Sequence, residues 1–247
     1  MHKDLSPDHI SPIEKGEKFC FSCHPGVKCF TDCCRELELA LTPYDVLRLR
    51  AKLGISTGEF LERYCLFEVT EEDVLPRVYL GMVDDGRGSC PFVSSEGCSV
   101  YADRPAACRT YPVGRGAFVK PDGSFHDLYV LLSEPHCKGF EQDDEQDVEQ
   151  WLDHEGLADY NALNDATLAV YQHQKVNDGI TLTDLQVETF ILAFYNMDAF
   201  RDAILAGKLP VPEELDDQLR RDIAADDKAL LLFAVKWLPW RLFEEQS

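Results

Sequence analysis

The placement of the cysteines constrains this chain more than any other feature. They stand at Cys20, Cys23, Cys29, Cys33, Cys34, Cys65, Cys90, Cys98, Cys108 and Cys137, and none occurs after residue 137 of 247. Thiols grouped in this way read as disulfides, metal ligands or catalytic groups, and the redox compartment decides among them. Their density is well below that of a disulfide scaffold. Residues 1–12 are polar, carry Asp4 and Asp8, and lack the apolar core of a secretory signal. No apolar run reaches the length of a membrane helix. A cytoplasmic location is therefore expected, where thiols stay reduced and a dense group of them points to metal.

Charge narrows the partners. Lys and Arg total 24 against 45 Asp and Glu, a formal net charge of -21. Such a field repels phosphate backbones and anionic lipid head groups, so neither nucleic acid nor a membrane is expected. An unidentified protein partner, cationic where it touches, is compatible with this charge, and so is a plain solvated acidic surface.

The cysteines also suggest a division of the chain. Residues 18–140 read as a cysteine-cluster metal-binding region and 141–247 as a helical region, with the acidic stretch Glu141–Glu149 as a link or first helical turn at the border. In the first region, Thr42-Pro43-Tyr44-Asp45 predicts a capped helix ending at Gly54. Ser56-Thr57-Gly58-Glu59 predicts a capping box that opens a second helix through Tyr64. Val78–Val83 reads as a strand with a turn at Asp85-Gly86, and 117–120 with 124–132 read as a hairpin around Pro121-Asp122-Gly123. In the second region, helical periodicity covers 148–154, 160–176, 183–205 with a break at Asn196, 213–223 and 227–243. The expected fold class is α+β, mostly α. A metal-stabilised, cysteine-rich N-terminal half with a few short strands would pack on a C-terminal helical layer.

Soft thiolates select zinc, copper(I) or iron–sulfur clusters, and one tetrahedral ion needs only four ligands. The chain offers more than that. Were residues 29–34 helical, Cys29 and Cys33 would share a face and Cys34 would point elsewhere, toward a second ion or a second corner of one cluster. Two four-cysteine sites or one polynuclear site are the simplest readings. Pro105 and Pro112 bracket a helical turn carrying Cys108. Arg35, Arg104 and Arg109 could offset thiolate charge or serve as ordinary surface ion pairs. Cys65, and largely Cys20, read as small core hydrophobes. His24 and His136, each beside a cysteine, remain alternates to thiolate. No Ser/His/Asp arrangement, phosphate loop or dinucleotide fingerprint stands out, and Gly86-Arg87-Gly88 and Gly114-Arg115-Gly116 read as turns.

The set Cys23…Cys29…Cys33-Cys34-Arg35, Leu41-Thr42-Pro43-Tyr44-Asp45, Cys90-Pro91-Phe92, Gly97-Cys98 with Tyr101, Arg104-Pro105…Cys108-Arg109…Tyr111-Pro112 and Cys137-Lys138-Gly139-Phe140 resembles the YkgJ-type cysteine-cluster family of zinc- or iron-chelating proteins. The resemblance implies that Cys23, Cys29, Cys33, Cys34, Cys90, Cys98, Cys108 and Cys137 are the metal ligands. The interval between Cys23 and Cys29 is wider than the family's compact run, and Cys20-x-x-Cys23 is an alternative early pair. The implied cofactor is zinc, an iron–sulfur cluster or both, with a four-iron four-sulfur cluster favoured if iron is present. Flagellin lysine methylases contain a similar cysteine region, so a redox or methyl-transfer role is one expectation. A structural-zinc interaction module and a metal storage or delivery protein are the others.

Overall fold

The computed structural model describes residues 9–70, 73–120 and 125–244. The fold is α+β and mostly helical, as expected. It forms two compact units, each built from two stretches of chain: residues up to Leu39 with Gly81–Asp159, and Ala40–Leu80 with the residues from Tyr160 onward.

The first unit holds every cysteine except Cys65. Its largest sheet is three-stranded and antiparallel, with Phe125–Leu132 between Ile10–Pro12 and Val113–Val119. The expected hairpin is thus present and extends further back, to Val113; its turn at 121–124 lies outside the described residues. Gly114 and Gly116 sit inside a strand of this sheet and form no turn. A second ribbon pairs Lys18–Cys20 with Glu145–Asp147. The acidic stretch is therefore neither link nor helical turn at that point. Lys18 draws it in, its ammonium 2.8 Å from Asp147, and cross-strand opposite charges favour the pairing. Asp147 then caps the Val148–His154 helix through a reciprocal box with Gln150. Ile13, Phe19, Phe21, Val113, Tyr129, Val148 and Trp151 form the core of this unit. The Phe21 ring meets Trp151, Tyr111 and Phe140 edge-on.

The second unit is a helical assembly with one two-stranded ribbon, Cys65–Glu68 on Arg77–Leu80. The Pro43–Leu53 helix has the capping box that Thr42 and Asp45 predict, and Gly54 closes it at φ 68°. The Thr57–Tyr64 helix keeps only half of its expected box. Ser56 accepts from the Glu59 amide, but the Glu59 carboxylate turns to Arg63 one helical turn on, at 2.8 Å. The strand expected to reach Val83 stops at Leu80. The helix expected over 160–176 is instead Ala158–Tyr171 and a short Gln174–Asn177 turn, because His173 adopts extended backbone and caps the second piece. Asn196 does separate two helices, Asp184–Phe194 and Met197–Leu205. The next helix begins later than expected, at Asp217 after the Asp216 cap, and Asp227–Phe243 closes the series. Phe60, Phe190, Phe194, Phe200, Leu230 and Trp237 are fully buried here. Around them Arg50 and Arg201 both pair with Asp227, while Asp198 accepts from the Thr57 amide at 2.8 Å.

Candidate metal centre

Local backbone pairing explains how cysteines distant in sequence meet. Residues 24–34 do not form the helix that would align Cys29 and Cys33. They wind through successive turns (Val27 to His24, Phe30 to Val27, Asp32 to Cys29, Cys34 to Thr31) with Thr31 at φ 68°, and only Asp32–Cys34 is helical, as a 3-10 turn. Buried Val27 anchors this loop, and the Arg35 guanidinium fastens its end on the Thr31 carbonyl at 2.7 Å. The chain then runs antiparallel to residues 88–90: the Glu36 amide bonds the Gly88 carbonyl at 2.8 Å and the Cys90 amide bonds the Cys34 carbonyl at 2.9 Å. Cys34 and Cys90 become neighbours by backbone geometry alone. A tight hairpin, Val93–Ser94 against Gly97–Cys98, next folds Cys98 back beside Cys90. Gly97, at φ 116°, leaves room for the Phe30 ring, which lies 3.1 Å from where a Cβ would stand. Cys108 lies in the Ala106–Thr110 helical turn between Pro105 and Pro112, as the sequence predicts. Cys137 reaches the loop directly, since the next amide, that of Lys138, donates to the Cys29 sulfur at 3.0 Å.

All eight cysteines that the family resemblance implies as ligands are electrostatically linked. Cys23 feels Cys29, Cys33 and Cys137. Cys34 hydrogen-bonds Cys33 and feels Cys90 and Cys108. Cys98 feels Cys33, and Cys90 feels both. Two gatherings emerge: Cys23, Cys29 and Cys137 in one, and Cys33, Cys34, Cys90, Cys98 and Cys108 in the other, linked by the electrostatic influence of Cys33 on Cys23. Among the described residues no three Cys, His, Asp or Glu side chains already stand as a closed ligand set. The thiols lie within reach of one another's charge, and an ion would have to draw them the remaining distance.

The electrostatics follow from this crowding. Burial pushes the Cys23 thiol up to about 11, and the neighbouring thiols push the same way. The hydrogen bond that the Cys34 thiol donates to Cys33, then burial, raises Cys34 strongly, and burial raises Cys90, Cys98 and Cys137. Backbone amides oppose this shift. The Phe92 and Val93 amides face the Cys90 sulfur, that of Val100 faces Cys98, and that of Gly139 faces Cys137. In three cases the donor stands two residues after the cysteine, an arrangement that stabilises anionic sulfur with fixed dipoles. Arg104 supplies the cation, lowering both Cys23 and Cys98. Arg35 and Arg109 brace backbone carbonyls, Arg35 on Thr31 and Arg109 on Ala102 and Glu155.

The other sequence candidates fall outside the network or at its edge. Cys20 is exposed on the Lys18–Cys20 strand. Cys65 lies in the other unit, raised to about 12 by burial alone. The Nδ1 of His24 is engaged by the Gly26 amide at 3.1 Å, so this ring serves its own turn. The Nε2 of His136 stands 3.7 Å from the Glu134 carboxylate. Sequence reasoning passed over Tyr111 as a site residue. Its buried hydroxyl makes no regular hydrogen bond but faces the Cys137 sulfur and Glu134, and burial shifts it strongly upward. The donor chemistry of this assembly, soft anionic sulfur with amide dipoles and one held guanidinium, suits zinc or iron–sulfur and does not suit hard cations.

The family comparison agrees. A model of the CxxCxxCC family, described as a putative zinc- or iron-chelating domain, matches residues 22–138. This segment, a little under half of the chain, is similar to that family. It begins just before Cys23 and ends just after Cys137, so it contains every thiol of the network. The match supports metal binding in general and does not name the metal. Comparison with curated proteins and with solved structures yields no match. Among the described residues no helix is long and apolar enough to cross a membrane.

Proposed function

We propose that the chain is a polynuclear thiolate metal protein, and that its centre is an iron–sulfur cluster used for electron or methyl-group transfer. One observation carries the polynuclear reading: eight linked thiols are twice what a single tetrahedral ion takes. Two features support iron–sulfur. Amide dipoles aimed at sulfur, together with the cation at Arg104, are the protein's usual means of tuning such a cluster. Cys23 and Cys33 are also exposed, which leaves one side of the centre open to a redox partner or substrate.

A second reading has its own observation. The first unit has a small core and strands of two or three residues outside its main sheet, so structural zinc would add directly to its folding free energy.

Elemental and sulfide analysis of anaerobically purified protein separates the two. Brown protein with iron and acid-labile sulfide supports the first reading. Colourless protein with two or more zinc ions per chain supports the second. One metal ion or none per chain overturns the polynuclear centre. Cys33→Ser should lose metal, and Cys65→Ser should keep it.

A further inference from the structure

Outside the matched segment, one helix end grips the thiol-bearing loops. The Val148–His154 helix and its cap at Glu155 meet residues 101–110 three times. The Trp151 indole N–H donates to the Thr110 carbonyl at 2.8 Å. The Glu155 carboxylate accepts from the Arg104 guanidinium, and the Glu155 carbonyl accepts from Arg109. Both members of the Arg104–Glu155 pair are nearly out of solvent, with side chains 11% and 8% exposed. The same guanidinium donates to the Tyr101 carbonyl at 2.9 Å and stacks on the Tyr101 ring at 3.8 Å.

We infer that Trp151 and Glu155 are positioning residues of the metal centre. Trp151 acts on the Cys108 turn and Glu155 acts through Arg104. The inference rests on the metal-chelating reading and adds to it two residues that lie beyond the family match at residue 138. The Ala106–Thr110 turn is five residues long, too short to hold a helical shape by itself. Its last carbonyls need a donor, and Trp151 provides one from the neighbouring core. Arg104 lies on the loop between Cys98 and Cys108, bonded to the Tyr101 carbonyl at 2.9 Å, and its charge favours the anionic form of both Cys23 and Cys98. A nearly buried guanidinium holds a fixed position when its charge is paired, and the buried Glu155 carboxylate provides that pair. The carboxylate thereby holds Arg104, and with it the Tyr101 carbonyl, in place on the loop that carries Cys98 and Cys108.

The test uses the full chain loaded anaerobically with zinc, and follows the rate of zinc transfer to a chromogenic chelator. Partners one shell out from a metal ligand typically change affinity about 10–100-fold when removed. Glu155→Ala is expected to speed zinc release by roughly tenfold or more, Trp151→Phe by a smaller factor, and Glu155→Gln, which keeps an acceptor for Arg104, to restore most of the loss. Combining Glu155→Ala with Arg104→Met should add little to Arg104→Met alone, since one acts through the other. A purely structural residue would lower the unfolding temperature without this non-additivity. Cobalt(II) bands in the visible report whether the thiolate geometry changes. If Glu155→Ala does not fold, Trp151→Phe and the Gln variant read the same rate. Wild-type release rates in folded variants overturn the inference while leaving metal binding intact. An unaltered chain that takes up no zinc and carries no iron overturns both.

Discussion

The two units reach stability by different routes. In the helical unit, ring-bearing side chains such as Phe60, Phe194, Phe200 and Trp237 are fully enclosed, and its helices begin with reciprocal or single side-chain caps at Thr42, Ser56, Thr183 and Asp216. Burying such residues supplies the ordinary driving force of folding. The cysteine-bearing unit is different. Its apolar core gathers around Phe21 and Trp151, and the loops that carry the thiols hold few fully buried apolar residues beyond Val27, Phe92 and Val100. Those loops are ordered by turns and by sulfur. One half of the molecule folds by exclusion of water; the other crowds partly buried thiols together in loops with little apolar cover.

The sharpest way to break this contrast is to remove metal. Structural zinc contributes about 10–16 kcal/mol of apparent folding free energy in small domains. After chelation, hydrogen exchange should accelerate across residues 22–36 and 88–110 and stay slow in the Asp227–Phe243 helix. Equal acceleration in both places would end the contrast.

Proton competition gives the next largest effect. Cys23 is held up at about 11 and Cys34 is raised, so both keep their protons at neutral pH in the metal-free chain. Metal must displace those protons, and affinity therefore rises with pH by roughly tenfold per unit for each one released. Competition titrations at two pH values measure the slope, and a flat profile would contradict the protonated thiols. A substitution in the helical unit follows. Phe200→Ala should cost about 3–5 kcal/mol in denaturant unfolding yet leave the metal-to-protein ratio unchanged. Gly139→Ala should cost about 1–3 kcal/mol, because a Cβ there would lie 2.3 Å from the Phe21 ring, and it should disturb metal binding through the amide that faces Cys137. The smallest expected loss is Thr42→Ala, about 1 kcal/mol, confined to the Pro43–Leu53 helix and without effect on metal.

What the sequence made legible was what local chemistry decides. Thr42-Pro43 and Gly54 bounded a helix, Pro105 bounded the Cys108 turn, and the reading of Asn196 as a break held because both flanking segments are strongly periodic. What escaped depends on partners far along the chain. Glu145–Asp147 becomes a strand by pairing with Lys18–Cys20, more than 120 residues away in the chain. A helix over residues 29–34 would have aligned Cys29 with Cys33, yet Thr31 takes a positive φ and the turns are held by sulfur and by Arg35. The ties of Tyr111 to Cys137 and of Glu155 to Arg104 join positions that no short motif contains. Nor does spacing reveal that residues 40–80 share a unit with the residues beyond 160.

That last arrangement decides how the protein can be cut. The backbone crosses from one unit to the other after Leu39, after Leu80 and after Asp159. The Pro43–Leu53 helix packs on Asp227–Phe243, and Thr57–Tyr64 packs on Met197–Leu205. A fragment trimmed to the recognised 22–138 segment would strand Val46, Leu49 and Phe60 in water with their covering helices deleted. Its aggregation would say nothing about chelation. A faithful minimal version of either half needs splicing, with a short artificial bridge replacing the excised stretch.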